Sequence, residues 1–78
     1  MLDLKLELSH LVLADKHISQ ARDHIAGARA RIAASTAQGK DLGQSLTSLE
    51  TLQKTLKAFE EHRALIVRTI EGIRAGKL

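Results

Sequence analysis

The chain is predicted to be all-α: an antiparallel two-helix hairpin, coiled-coil-like, expected to dimerise into a four-helix bundle. Three observations carry this. Apolar residues recur at alternating steps of three and four along both halves of the chain. One short glycine-containing segment, Gln38-Gly39-Lys40-Asp41, separates the halves. Proline is absent, and alanine, leucine, lysine, arginine, glutamate and glutamine, all strong helix formers, dominate the composition.

In the first helix, expected over residues 8–38, the stripe is Leu11, Ala14, Ile18, Ala21, Ile25, Ala28 and Ile32. Side chains at these intervals fall on one side of a helix, and a sustained 3-4 rhythm lets two helices interdigitate along a seam. The segment before it is ambiguous, because Leu2, Leu4, Leu6 and Leu8 alternate as in a strand. An extended arm, an edge strand paired across a dimer and an earlier helix start all fit it, and helix is preferred. In the turn, residues 39–41, Gly39 can take the left-handed conformation that ends a helix, with no Cβ to clash. Asp41 can then accept an N–H bond at the start of the next helix, and Gln44 would complete a weak capping box. Thr47 followed by Glu50 offers a later start, and Gly43 weakens the earlier one. The second helix, expected over residues 42–74, carries Leu49, Leu52, Leu56, Phe59, Arg63, Ile66, Ile70 and Ile73 at the same rhythm. Gly72, Gly76 and the terminal Lys77-Leu78 suggest a fraying end.

A turn this short makes the helices antiparallel neighbours. Facing seam residues then have position numbers that sum to about 80, so that Ile32 meets Leu49, Ala28 meets Leu52, Ala21 meets Phe59 and Ile18 meets Arg63. Small alanines opposite large side chains keep the axes close without leaving holes.

At 78 residues the chain is one hairpin domain near the lower limit for independent folding. It has no cysteine to supply a disulfide or a thiolate zinc site. Ordering a residue costs roughly 1.5 kcal/mol, while burial returns about 25 cal/mol per Å² of apolar surface. A lone hairpin with an alanine-rich seam is therefore expected to need a partner. Leu8, Val12, Leu13, Leu46, Leu65 and Val67 lie off the seam, are read as clustering at the end away from the turn, and are the expected interface of a homodimer. A higher oligomer, a monomer or an unidentified protein partner are the alternatives. The opening MLDLKLELSHLVLADKH mixes leucines with charges and does not read as a signal peptide. No apolar run approaches the roughly 20 residues that span a bilayer. A cytoplasmic protein without a membrane span is expected.

His10, His17 and His24 recur every seven residues beside the seam, and the register sets His62 opposite His17. Imidazoles are potential zinc, nickel or copper ligands, but seven residues is about 10 Å of helix, too far for neighbours on the stripe to share an ion. His17 and His62 are thus weak metal candidates, and no cofactor is expected. Arg63 is the one charge in the seam of the second helix. Its stem can cover Ile18 while its guanidinium reaches outward, or it can pair with Asp15 or Glu60; it either fixes the register or recognises an anion or partner. Arg22 and Glu60 face each other as a surface pair. No Ser-His-Asp arrangement or Gly-rich phosphate loop occurs, nor do Glu-x-x-His pairs on facing helices, and an enzyme is not expected. The net charge of +3, from twelve basic and nine acidic residues of interspersed sign, is too weak by itself to imply nucleic acid. A nucleic-acid surface would have to use Arg22, Arg29 and Arg31 on the first helix with Lys40 in the turn. Dimeric helical hairpins such as the plasmid copy-number regulators of the ROP type bind RNA through such a face, and this chain resembles them in layout only.

The stretches LADKHISQARDHIAGARARI and LETLQKTLKAFEEHRALIVRTI resemble a family of short helical proteins common in alphaproteobacteria, rhizobia especially. The resemblance covers residues 11–70, and its motifs are Ala14-Asp15-Lys16-His17-Ile18 and His62-Arg63-Ala64-Leu65-Ile66. It implies a hairpin with a glycine-containing turn and makes His17, His62 and Arg63 part of a recurring pattern. It carries no activity, cofactor or catalytic residue. The expected function is accordingly a non-enzymatic structural or protein-interaction module, with a small dimeric RNA- or DNA-binding regulator as the alternative.

Overall fold

Asp3 begins the first helix. Its backbone is extended (φ −109°, ψ 112°), and its carboxylate Oδ1 accepts hydrogen bonds from the N–H groups of Lys5 at 2.9 Å and Leu6 at 3.4 Å. These satisfy N–H groups that the first helical turn leaves without partners. A computed structural model describes residues 3–77, and Met1, Leu2 and Leu78 lie outside the described residues. Within them the chain forms two helices, α1 from Leu4 to Ala37 and α2 from Gly43 to Arg74. Helix α1 thus starts four residues earlier than residue 8. The Asp3 cap and the packing of Leu4 on the core override the strand-like alternation, of which Leu2 lies outside the described residues.

The turn closes in a Schellman arrangement. Gly39 has φ 69°, its N–H donates to the Thr36 carbonyl at 3.0 Å, and Lys40 N–H donates to the Ser35 carbonyl at 3.0 Å. The same motif ends α2. Gly76 has φ 71°, and the N–H groups of Gly76 and Lys77 donate to the carbonyls of Ile73 and Gly72. In place of the expected fraying end, Gly76 and Lys77 make a bonded cap with Gly72 inside the helix, and Leu78 lies outside the described residues. Asp41 Oδ1 accepts from Gly43 N–H at 3.0 Å, as expected of it, but Leu42 occupies the cap position. Gln44 makes no return bond among the described residues, and the later start at Thr47 does not occur.

The helices lie antiparallel in the expected register. Asp15 pairs with Arg63, whose positions sum to 78, and Arg22 pairs with Glu60, whose positions sum to 82. Ala14, Ile18, Ala21, Ile25 and Ala28 of α1 with Ile66 and Ile70 of α2 form the core, each only 4–6% exposed. Leu49, Leu52, Leu56, Phe59 and Arg63 opposite them are half-buried. Small side chains on α1 let the axes approach, but one layer of contact leaves the outer half of each α2 side chain uncovered. The molecule measures 58 × 15 × 14 Å with a radius of gyration of 17.6 Å. A globular chain of this length would have about 11–12 Å. Between two helices there is no second layer to close a core.

Replacing Gly39 by alanine should destabilise the hairpin by about 1 kcal/mol, because a Cβ disfavours positive φ. A Cβ at Gly39 meets no heavy atom within 4 Å, so the cost is conformational, and Gly39→Asn should cost less than half as much. Urea unfolding followed by circular dichroism checks both; equal losses would mean that conformation is not the cause.

Candidate functional site

Side chains flanking a seam leave it on one of two sides, and the helical period decides which, since residues seven apart complete close to two turns. One side holds the ion pairs. Arg63 Nε donates to Asp15 Oδ1, and Arg22 Nη2 donates to Glu60 Oε2 at 3.4 Å, both across the seam. Together with Ile18 these four residues line a groove of about 390 Å³. Arg63 is half-buried beside Ile18 with its guanidinium turned outward to Asp15, the arrangement expected from the register. The side chains of Arg63 and Asp15 are 42% and 54% exposed, so water screens the pair, which contributes about 0–1 kcal/mol.

The other side collects all four histidines. His10, His17 and His62 line one depression of about 190 Å³ with Leu13 and Ala14. A neighbouring one, about 250 Å³, is bordered by His17, His24, Thr55 and Phe59. The His17 ring packs on Phe59, with centroids 5.4 Å apart and planes tilted by 32°. His10 Nδ1 lies 3.6 Å from Glu7 Oε2, an ion pair only while His10 carries its second proton. The register thus sets His17 and His62 on one depression. Among the described residues no three histidine, aspartate or glutamate side chains are gathered as a metal-binding group.

The residues expected at an interface divide between the two sides. Leu13 and Leu65 stand on the histidine side, seven-residue steps from Gln20 and from Ala58 and Gly72. Leu8, Val12 and Val67 stand on the ion-pair side, and Val67 is half-buried rather than free. Leu46 is exposed but lies in the first turn of α2, so its placement in a cluster away from the turn is corrected: near residue 43 the helix is only beginning. Leu6 was not among the expected interface residues, yet it is exposed one heptad before Leu13. The signal for it was the seven-residue spacing, masked by the strand-like alternation. The basic residues do not gather either. Arg22 and Arg29 lie on the ion-pair side, Arg31 borders a groove on the histidine side with Gln44 and Ser48, and Lys40 is in the turn.

A double-mutant cycle on Asp15 and Arg63 should return a coupling below about 1 kcal/mol. Arg63→Leu should be neutral or stabilising by up to about 1 kcal/mol, because an apolar group at a seam position needs no desolvation of charge. Chemical denaturation measures both; a loss above about 2 kcal/mol would make the pair a structural requirement.

Among the described residues no buried side-chain nitrogen or oxygen lacks a hydrogen-bond partner, and no helix is long and apolar enough to cross a membrane. Compared with protein-family models, with curated proteins and with solved structures, the chain matches none.

Proposed function

We propose that this chain is a non-enzymatic interaction module that self-associates, two hairpins closing into a four-helix bundle. The observation that supports it is the incomplete core. Among the described residues no side chain is buried below 2% exposure, while Leu6, Val12, Leu13, Leu46 and Leu65 are 50–71% exposed. Apolar surface left in water by two helices is covered when a second pair packs against them, the usual solution for amphipathic hairpins. Membership of the alphaproteobacterial family belongs to the same proposal. It rests on the two resembling segments and assigns no chemistry. The nucleic-acid alternative has less support, since Arg22 is engaged by Glu60 and Arg31 lies on the opposite side from Arg22 and Arg29.

Sedimentation equilibrium at pH 8 over a range of protein concentrations tests this reading. The expected result is a species of twice the 8.5 kDa chain mass, with a melting temperature that rises with concentration. A monomer persisting at about 100 μM would refute it, since a bundle that depends on association is populated well below that concentration.

A further inference from the structure

On the reading that the hairpin self-associates, we infer that the second copy docks on the histidine side, and that protonating the imidazoles releases it. The first observation is charge. The chain has twelve basic and nine acidic residues. Within the two helices Arg31 alone of them falls on the rows that flank the seam on this side, with its guanidinium laid back to 3.4 Å from where a Cβ on Gly27 would be. Asp3, one heptad before His10, is the cap residue ahead of α1, and Glu7 lies on the seam row beside His10. The rest of the face is built on α1 from Leu6, His10, Leu13, His17, Gln20 and His24. On α2 it is built from Thr51, Thr55, Ala58, His62, Leu65 and Thr69. Loss of charged residues is what distinguishes the centre of a protein–protein interface from the remaining surface. The opposite side carries Asp15, Arg22, Arg29, Glu60 and Arg74, whose hydration would have to be stripped.

The second observation is hydrogen bonding. The hydroxyls of Thr51, Thr55 and Thr69 donate to the carbonyls of Thr47, Thr51 and Leu65 at 3.1, 3.0 and 3.0 Å. Their donor capacity is used within α2, so their methyl groups can be covered without stranding an O–H. The third is size. One side of the rod has an outline 58 Å long and 15 Å wide, roughly 870 Å², so a face-to-face pair has room to bury the roughly 800 Å² that each partner contributes to a stable interface. One copy's face meets the same face of another, which a twofold axis requires.

All four histidines of the chain lie on this face. Neutral imidazoles can be buried, whereas imidazolium ions lose hydration that nothing replaces. The carboxylate next to them is Glu7, on their own helix and beside His10 only. From α2 the titratable group facing them is His62 itself, and Arg31 has the same sign as an imidazolium. Full protonation adds four positive charges per chain. Association is therefore favoured where the imidazoles are neutral and is opposed once they are protonated.

Sedimentation equilibrium at pH 8.0 and 5.5, on the whole chain and three variants, tests this. The wild-type dimer should weaken by about 100-fold in Kd at pH 5.5. The double variant His17→Gln, His62→Gln should lose most of that dependence, which general acid unfolding would leave in place. At pH 8.0 Leu13→Asp should give monomer while Val12→Asp, a still more exposed position on the other side (71% against 50%), should stay dimeric. A wild-type dimer unchanged at pH 5.5, or a double variant as acid-sensitive as the wild type, overturns the pH release. Dissociation by Val12→Asp and not by Leu13→Asp overturns the docking face while leaving self-association standing. A wild-type monomer at pH 8.0 removes self-association and this inference with it.

Discussion

The close approach of α1 and α2 along the alternating seam is the constraint from which the other features follow. Ala14, Ala21 and Ala28 leave room on α1 for the large side chains of α2, and the five central seam positions of α1 with Ile66 and Ile70 of α2 are the best-covered described residues. An alanine offers little apolar area, so the close approach is bought with a thin core. Two helices cannot add a second layer, and Leu49, Leu52, Leu56 and Phe59 keep their outer edges in water. The elongated shape expresses the same fact, since a rod 58 Å long encloses almost no interior.

The turn makes that seam achievable. Gly39 reverses the chain within five non-helical residues, and its Schellman bonds close the end of α1 before Gly43 begins α2. A short connection leaves no slack for sliding one helix along the other, so the pairing that begins at the turn propagates to the open end. Asp15 with Arg63 and Arg22 with Glu60 sit where that propagation sets them. Exposed pairs of this kind add little energy, but opposite charges across the seam disfavour a slipped register in which like charges would meet.

Much of this was legible in the residues. The helical period is a property of spacing alone, and the facing pairs followed once Gly39 was recognised as the turn. Arg63 beside Ile18, and His17 sharing a depression with His62, were set by the same counting. Other features were not legible. The start of α1 depended on whether the Asp3 carboxylate would reach the N–H groups of Lys5 and Leu6, and period-two leucines gave a competing pattern. The cap at Gly76 was indistinguishable from fraying until its two backbone bonds were formed. Leu46 counted as one more off-seam leucine in the sequence, whereas in space it lies tens of ångströms from Leu13 along the rod, by the 1.5 Å rise per residue.

The sequence by itself determined that the chain is helical, where it turns and which residues face the seam, because these depend on a 3.6-residue period and on glycine's freedom at positive φ. Only the tertiary structure decided how the two helices share their flanks. Antiparallel packing brings the histidine row of α1 to the same side as His62 and the threonines of α2, and sends Asp15 and Arg22 to the side of Arg63 and Glu60. Each helix alone has charged and uncharged rows without any common face. The rows acquire a shared meaning only when the second helix is laid beside the first, because a face is a relation between two axes and spacing along one chain does not contain it.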